Sequence, residues 1–285
     1  MIASLLILPA LHVALIGALG GLVGAFAYLD RRIFFAESVT HGTFPGAVLG
    51  VVIASALGLG HAGMSTVLYI GAFLGTIPLV ALMRALATIP GISSQGAAGI
   101  VLTAGFAAGY FLATWFKPLP LAVSSFLTGS VMTVSPADVA WAGGVLGATV
   151  VVVSVGARHL LAHCFDPSAP GAARLAARHE RIILAMILAA VTVAIPGVGT
   201  ILSIALVAAP AATLAPVVPS ARAFLVGSPL LGALLGLAGL AIAVPAGLSA
   251  GGTIALLCAA SVVLARVPGW VTRLGASRRA SSRRG

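Results

Sequence analysis

Six stretches of this chain carry no Asp, Glu, Lys or Arg: Met1 to Leu29, Ser38 to Met83, Ala85 to Phe116, Val139 to Ala157, Ile182 to Ala221 and Ala223 to Ala265. A helix needs only about 20 apolar residues to cross roughly 30 Å of hydrocarbon, so the longest of these stretches each hold two spans. Charged residues are 7% of the 285 positions and hydrophobic ones 60%. Ordinary soluble domains are about a quarter charged, so too little polar surface remains here to cover a water-soluble globule. The solvent must be lipid. The 35 glycines suit helices that approach closely in that medium, where association relies on backbone contact rather than on a hydrophobic drive. The expected fold is all-α, a polytopic transmembrane helical bundle.

The first stretch is read as a membrane span and not a cleaved signal, because no basic residue precedes it and it is longer than a typical signal core. Breaks at Gly, Pro and His give nine spans, roughly 6–29, 38–59, 64–83, 95–116, 139–157, 182–196, 199–218, 224–245 and 250–266. With nine spans and the N-terminus outside, all fourteen arginines fall on the cytoplasmic side and only Lys117 falls outside. The C-terminus is then cytoplasmic. Residues 1–267 form the membrane domain, with its longest polar loop at 158–181, and residues 268–285 read as a basic disordered cytoplasmic tail. The segment 118–138, broken by Pro118, Pro120, Gly129 and Pro136, reads as external or re-entrant. The net charge of +10 is explained by basic residues retained inside, in contact with membrane lipids, and nucleic-acid binding is not expected. Cys164 and Cys258 fall in a loop and a span, which leaves no disulfide and no cysteine metal site.

Asp30, Glu37, Asp138, Asp166 and Glu180 are all the acids in the chain, and only Glu37 lies at the start of an apolar span rather than in a loop. His41 follows at i+4, so on a helix the carboxylate and the imidazole share one face about 6 Å apart along the axis, able to bind one cation together. A helix broken at the following Pro45-Gly46 would expose backbone carbonyls beside the pair. The alternative is that Glu37 pairs with Arg31 or Arg32 in the headgroup zone. His159, His163, Cys164 and His179 form a second set of soft ligands suited to zinc, or else a solvated loop that contains imidazoles. His12 and His61 lie near the outer ends of the first two spans, on a possible outer path for an incoming ion. No metalloprotease helix, nucleophile elbow or phosphate-binding loop is present. Lys117 in WFKPLP is the only lysine, so this polypeptide holds no P-loop and an ATP-driven process needs another chain.

The stretch LDRRIFFAESVTHGTFPGAVLG at 29–50 is followed in order by GSVMTVSPADV at 129–139, FDPSAPGAARLAA at 165–177, VGTILSIALVAAPAATLAPV at 198–217 and VPAGLSAGGTIALLCA at 244–259. Together these resemble the permease subunits of the zinc/manganese/iron branch of bacterial ATP-binding-cassette importers. The resemblance implies a multi-pass protein of the bacterial inner membrane that is not itself an enzyme. It makes Glu37 and His41 the metal residues, and Phe165, Asp166, Pro167, Gly171 and Arg174 a coupling segment that docks on the ATPase. The implied partners are a cytoplasmic ATPase carrying ATP, an extracytoplasmic metal-binding protein and a second copy of the chain. No cofactor is bound permanently, and the divalent ion is cargo, with zinc favoured over manganese by the histidine. The family usually has Asp where Glu37 stands, and an Asp-Thr pair where Gln95-Gly96 stands. A permease for a metal chelate or other small solute is the alternative. A proton-driven cation carrier would need several intramembrane acids, and only Glu37 is placed to serve.

Overall fold

The computed structural model describes residues 2–119, 129, 131–165 and 173–281, and within these the side chains of 2–5, 61–62, 173–176 and 268–281 are left undescribed. Eight long helices carry the fold: α1 (Ile2–Leu29), α2 (Ile33–Ala56), α3 (His61–Ala87), α4 (Ser94–Trp115), α5 (Pro136–Phe165), α6 (Ala173–Leu214), α7 (Ala221–Ala246) and α8 (Ala250–Ser281). A short 3-10 turn, Val131–Thr133, precedes α5, and no strand occurs among the described residues.

All eight are long and apolar enough to cross a membrane, one fewer than the nine spans expected from sequence punctuation. The difference is α6, which contains both expected spans 182–196 and 199–218. Gly199 sits inside it with φ 79° and ψ 171°, a conformation only glycine adopts without strain. The chain reverses direction there. Glu180 bonds Arg32 beyond the end of α1, Gly197 lies against His12 near the beginning of α1, and Val207 lies against Gly24. Ala211 then clusters with Ala25 and Phe224. The first half of α6 thus runs antiparallel to α1 and the second half parallel to it.

The same contacts sort the helix ends into two faces. Arg31, Arg32, Arg84, Glu180 and the α6–α7 connection lie at one face, as the Arg32–Glu180 and Arg84–Glu180 pairs and the Tyr28–Phe224 ring contact require. Thr213 bonds Ser261, so the far end of α8 points to that same face. His12 and the Gly199 reversal lie toward the opposite face, where Gly129 rests against Val198.

Helix α1 is central because its glycines remove the side chains that would hold neighbours off. Gly17 and Gly21 lie against the α7 backbone at Gly232 and Ser228, and Gly24 against the α6 backbone at Val207. Gly46 and Gly50 of α2 meet Gly71 and Val67 of α3 in the same way. Lipid gives such packing no hydrophobic reward, so close backbone contact supplies the attraction.

Three expectations need correction. Helix α2 runs unbroken through Pro45 and Gly46, because Gly46 is occupied with packing on α3 and the helix needs no turn there. The polar stretch 158–181 is mostly helix, since α5 continues to Phe165 and α6 begins at Ala173. The helical backbone of α8 also continues to Ser281, with no break at 268.

Candidate functional site

Most of α2 is buried, including Phe35, Ala36, Ser38, Val39, Thr40, Phe44, Ala47 and Val48. One stripe is not. Glu37, His41 and Pro45 are half-buried, and Phe34 and Leu49 on the same face are 37% and 40% exposed. Spacings of three and four residues place all five on one side of the helix. The carboxylate and imidazole therefore lie on the face of α2 that the rest of the chain leaves uncovered.

Helix α4 forms one wall of this face. Gly105 permits contact with Gly42, and Phe106 packs edge-on against the His41 ring at a centroid separation of 5.7 Å. Phe44 supports Phe106 from behind at 6.1 Å. The imidazole is held by shape, while its Nδ1 is buried without a hydrogen-bond partner. Pro45 contributes through what it lacks. A proline in a helix interior has no N–H for the carbonyl four residues earlier, so the His41 carbonyl loses its intrahelical donor. Backbone oxygen beside the pair thus arises from an intact, proline-bearing helix rather than a broken one.

Glu37 takes part in no ion pair among the described residues. Two basic residues at this face, Arg32 and Arg84, are engaged elsewhere. Arg32 Nε donates to Asp30 Oδ2 at 3.2 Å and its Nη2 to Glu180 Oε1 at 2.9 Å, and Arg84 Nη2 donates to the same Glu180 oxygen at 3.2 Å. Burial pushes the Asp30 carboxyl above its ordinary range, opposed by the neighbouring Arg32 and His163. A polar cavity of about 270 Å³, lined by Asp30, Arg31, Arg32, Phe34, Ser94 and Gln95, opens at this end of α2. Gln95, one of the departures from the family pattern, lines this cavity, whereas Glu37 and His41 do not.

Among the described residues no three His, Cys, Asp or Glu side chains are grouped to hold a metal ion. Glu37 and His41 provide two donors from one chain, and an ion held there needs further ligands from another chain, from backbone oxygen or from water.

The other expected positions divide. His12 has no solvent exposure, and both its ring nitrogens lack partners beside the Gly197 backbone. It is enclosed rather than lining an open path in this conformation. His61 begins α3, but its side chain lies outside the described residues. Phe165 is 68% exposed at the end of α5, whereas Asp166, Pro167, Gly171 and the Arg174 side chain lie outside the described residues. His159, His163 and His179 do come together, with His179 6.0 Å from each of the other two rings.

Sequence reasoning left Asp138 in a loop and gave it no role. Its carboxylate accepts from Tyr69 Oη at 2.6 Å and from Ser135 N and Oγ at 2.8 Å each, so it caps α5 and ties that helix to α3. The Ser135-Pro136-Ala137-Asp138 spacing is a capping-box variant and was the available signal.

The model of the ABC 3 transport family matches residues 3–268. The chain belongs to the ABC 3 transport family. It is 29% identical over 249 residues to the manganese import system permease protein ScaB of Streptococcus gordonii, covering 86% of this chain and 84% of that one. To the zinc transport system membrane protein TroC of Treponema pallidum (strain Nichols) it is 29% identical over 205 residues, covering 69% of this chain and only 65% of TroC. The structure of PsaBC from Streptococcus pneumoniae in complex with Fab matches with a TM-score of 0.78 at 23% identity, over 93% of this chain and 95% of that one. Family and fold agree with the resemblance carried by the five ordered segments between 29 and 259, and the chain is a multi-pass integral membrane protein.

Proposed function

We propose that this chain is the membrane-spanning subunit of an ATP-driven importer of divalent transition-metal ions, and that Glu37 and His41 from two copies bind the ion in transit. The observation that carries this reading is the uncovered polar stripe of α2. An ionisable residue facing lipid is costly, and such residues face a cavity or a partner. Pairing two α2 stripes across a dimer axis would remove both carboxylates from lipid and bring together two carboxylates and two imidazoles. Four such ligands suit zinc, and the carboxylates suit manganese. Zinc is favoured by the imidazole, and the relatives include both a zinc and a manganese transport protein. Glu37 and His41 are only half-buried in the single chain, so an ion bound there is not sealed in and can leave.

In this reading the Arg31–Arg84–Glu180 face is cytoplasmic, because basic residues are retained inside, and both Phe165 at the end of α5 and the cavity at Gln95 lie on it. The N-terminus is then outside. An extracytoplasmic metal-binding protein delivers the ion, and ATP-driven closure of a separate ATPase alternates access. A chelate permease would call for a wide apolar path without a free carboxylate beside an imidazole.

The test is ion uptake into proteoliposomes holding the permease with its ATPase and binding protein, comparing zinc with manganese. Uptake that requires ATP and disappears in an assembled His41→Ala complex supports the reading. Uptake without the ATPase, or unchanged in the variant, overturns it.

A further inference from the structure

The proposed transport pathway has no use for the imidazoles at the junction of α5 and α6. His159 and His163 occupy the last two turns of α5, and His179 the second turn of α6. The His159 and His179 rings lie nearly parallel, with an interplanar angle of 18° and centroids 6.0 Å apart, and His163 is also 6.0 Å from His179. Two imidazoles sharing one tetrahedral zinc ion have centroids about 5.2 Å apart, given Zn–N distances of about 2.0–2.1 Å. Both pairs are wider than that, by less than the reach of a side-chain rotation. His163 is 10% exposed, its Nδ1 is buried without a partner, and its Nε2 lies 4.0 Å from Asp30 Oδ1. A carboxylate hydrogen-bonded behind a histidine is the usual outer support of a metal ligand, and Asp30 stands at that side of the ring without a hydrogen bond to it. His159 and His179, with Arg178, form the polar end of a cavity of about 530 Å³ whose other walls include Val151, Val155 and Ile182.

We propose that His159 and His179, with His163 as a third ligand, form an inner metal site that binds zinc at the cytoplasmic end of α5 and α6. Among the described residues the donors do not yet form a three-ligand group, so binding must draw them together by side-chain rotation. That movement is the consequence of interest. An ion held by both helices pins the end of α5 to the start of α6, on either side of the segment 166–172 that the resemblance assigns to ATPase docking. Metal that has accumulated in the cytoplasm therefore slows the transporter that admitted it. Imidazole-only coordination selects zinc over manganese, and Arg178 beside the rings makes the site weaker than a structural one, as a sensor of free ion requires.

The inference rests on the importer reading and on the assignment of this face to the cytoplasm, and its test separates the two. Zinc binding and zinc inhibition of ATPase activity are measured on the full complex in nanodiscs, where both faces are accessible. The background is His41→Ala, with and without His159→Gln and His179→Gln. The expected result is one zinc per permease chain in His41→Ala, lost in the triple variant, with the inhibiting zinc concentration raised by about 10-fold or more. Should the triple variant fail to assemble, His159→Gln alone in the same background is read by the same titration. Zinc stoichiometry or inhibition that survives loss of these histidines overturns the inner site. Metal uptake that survives His41→Ala overturns the transport site instead and leaves this result standing.

Discussion

Three imidazoles among the described residues have buried ring nitrogens without hydrogen-bond partners, and two of them, His12 and His41, differ in every respect that matters for binding an ion. His12 of α1 is fully enclosed beside the α6 reversal. The carboxylate of Asp138, on α5 toward the same face, is already engaged by Tyr69 and Ser135. His41 of α2 is half-open, its partner Glu37 has no ion pair among the described residues, and Pro45 removes a donor from the His41 carbonyl. A buried polar group is no guide to function by itself. A carboxylate left free, on a face left uncovered, separates a ligand from a packed histidine.

The largest effect that would break this comparison is expected at Glu37. Glu37→Gln keeps the shape and removes the charge, and ATP-driven uptake should fall on the order of 100-fold or more, since even outer supports of a metal cost about 10–100-fold. If Glu37→Gln transports normally while His12→Ala does not, the roles assigned to the two regions are reversed. His12→Ala is expected to leave uptake nearly intact and to lower stability by about 2–4 kcal/mol, the cost of an enclosed cavity, measured by thermal unfolding of the purified complex.

The sequence made the α2 pair legible because i, i+4 spacing needs only a helix, and the helix is there. It made the two halves of α6 legible too, since Gly197 and Gly199 punctuate an apolar run. The uncovered stripe was not legible, because which face of α2 stays open depends on α3 and α4 packing through Gly46, Gly71 and Gly105. Nor was the continuity of α2, where a proline that reads as a break is accommodated inside the helix. The pairing of Arg32 and Arg84 with Glu180, which leaves Glu37 free, joins residues far apart in the chain and no local pattern encodes it.

Smaller effects sharpen the same contrast. Pro45→Ala restores a donor to the His41 carbonyl, and is expected to weaken ion binding a few-fold while stabilising the helix by up to about 3 kcal/mol. Tighter binding in that variant would remove the carbonyl from the account. Arg84→Ala deletes a pair whose partners are 47% and 30% exposed, so its stability cost should stay within about 1 kcal/mol, and uptake should change little because Arg32 still holds Glu180. The smallest effect concerns pH. The Asp30 carboxyl is raised in the folded chain, so the folded state takes up its proton first. Its contribution to stability is fully present below the ordinary carboxylate range and is lost as pH rises through the folded value. Asp30→Asn should flatten the acid side of the stability profile, and an unchanged slope would mean that Asp30 is not the group responsible.

The central claim is that two chains share one ion through Glu37 and His41. Its most direct test is a zinc titration of the detergent-purified permease carrying His159→Gln and His179→Gln, with X-ray absorption to identify the ligands. The account predicts one ion for every two chains, coordinated by nitrogen and oxygen, and abolished by Glu37→Gln. One ion per chain, or a site indifferent to Glu37, would contradict it.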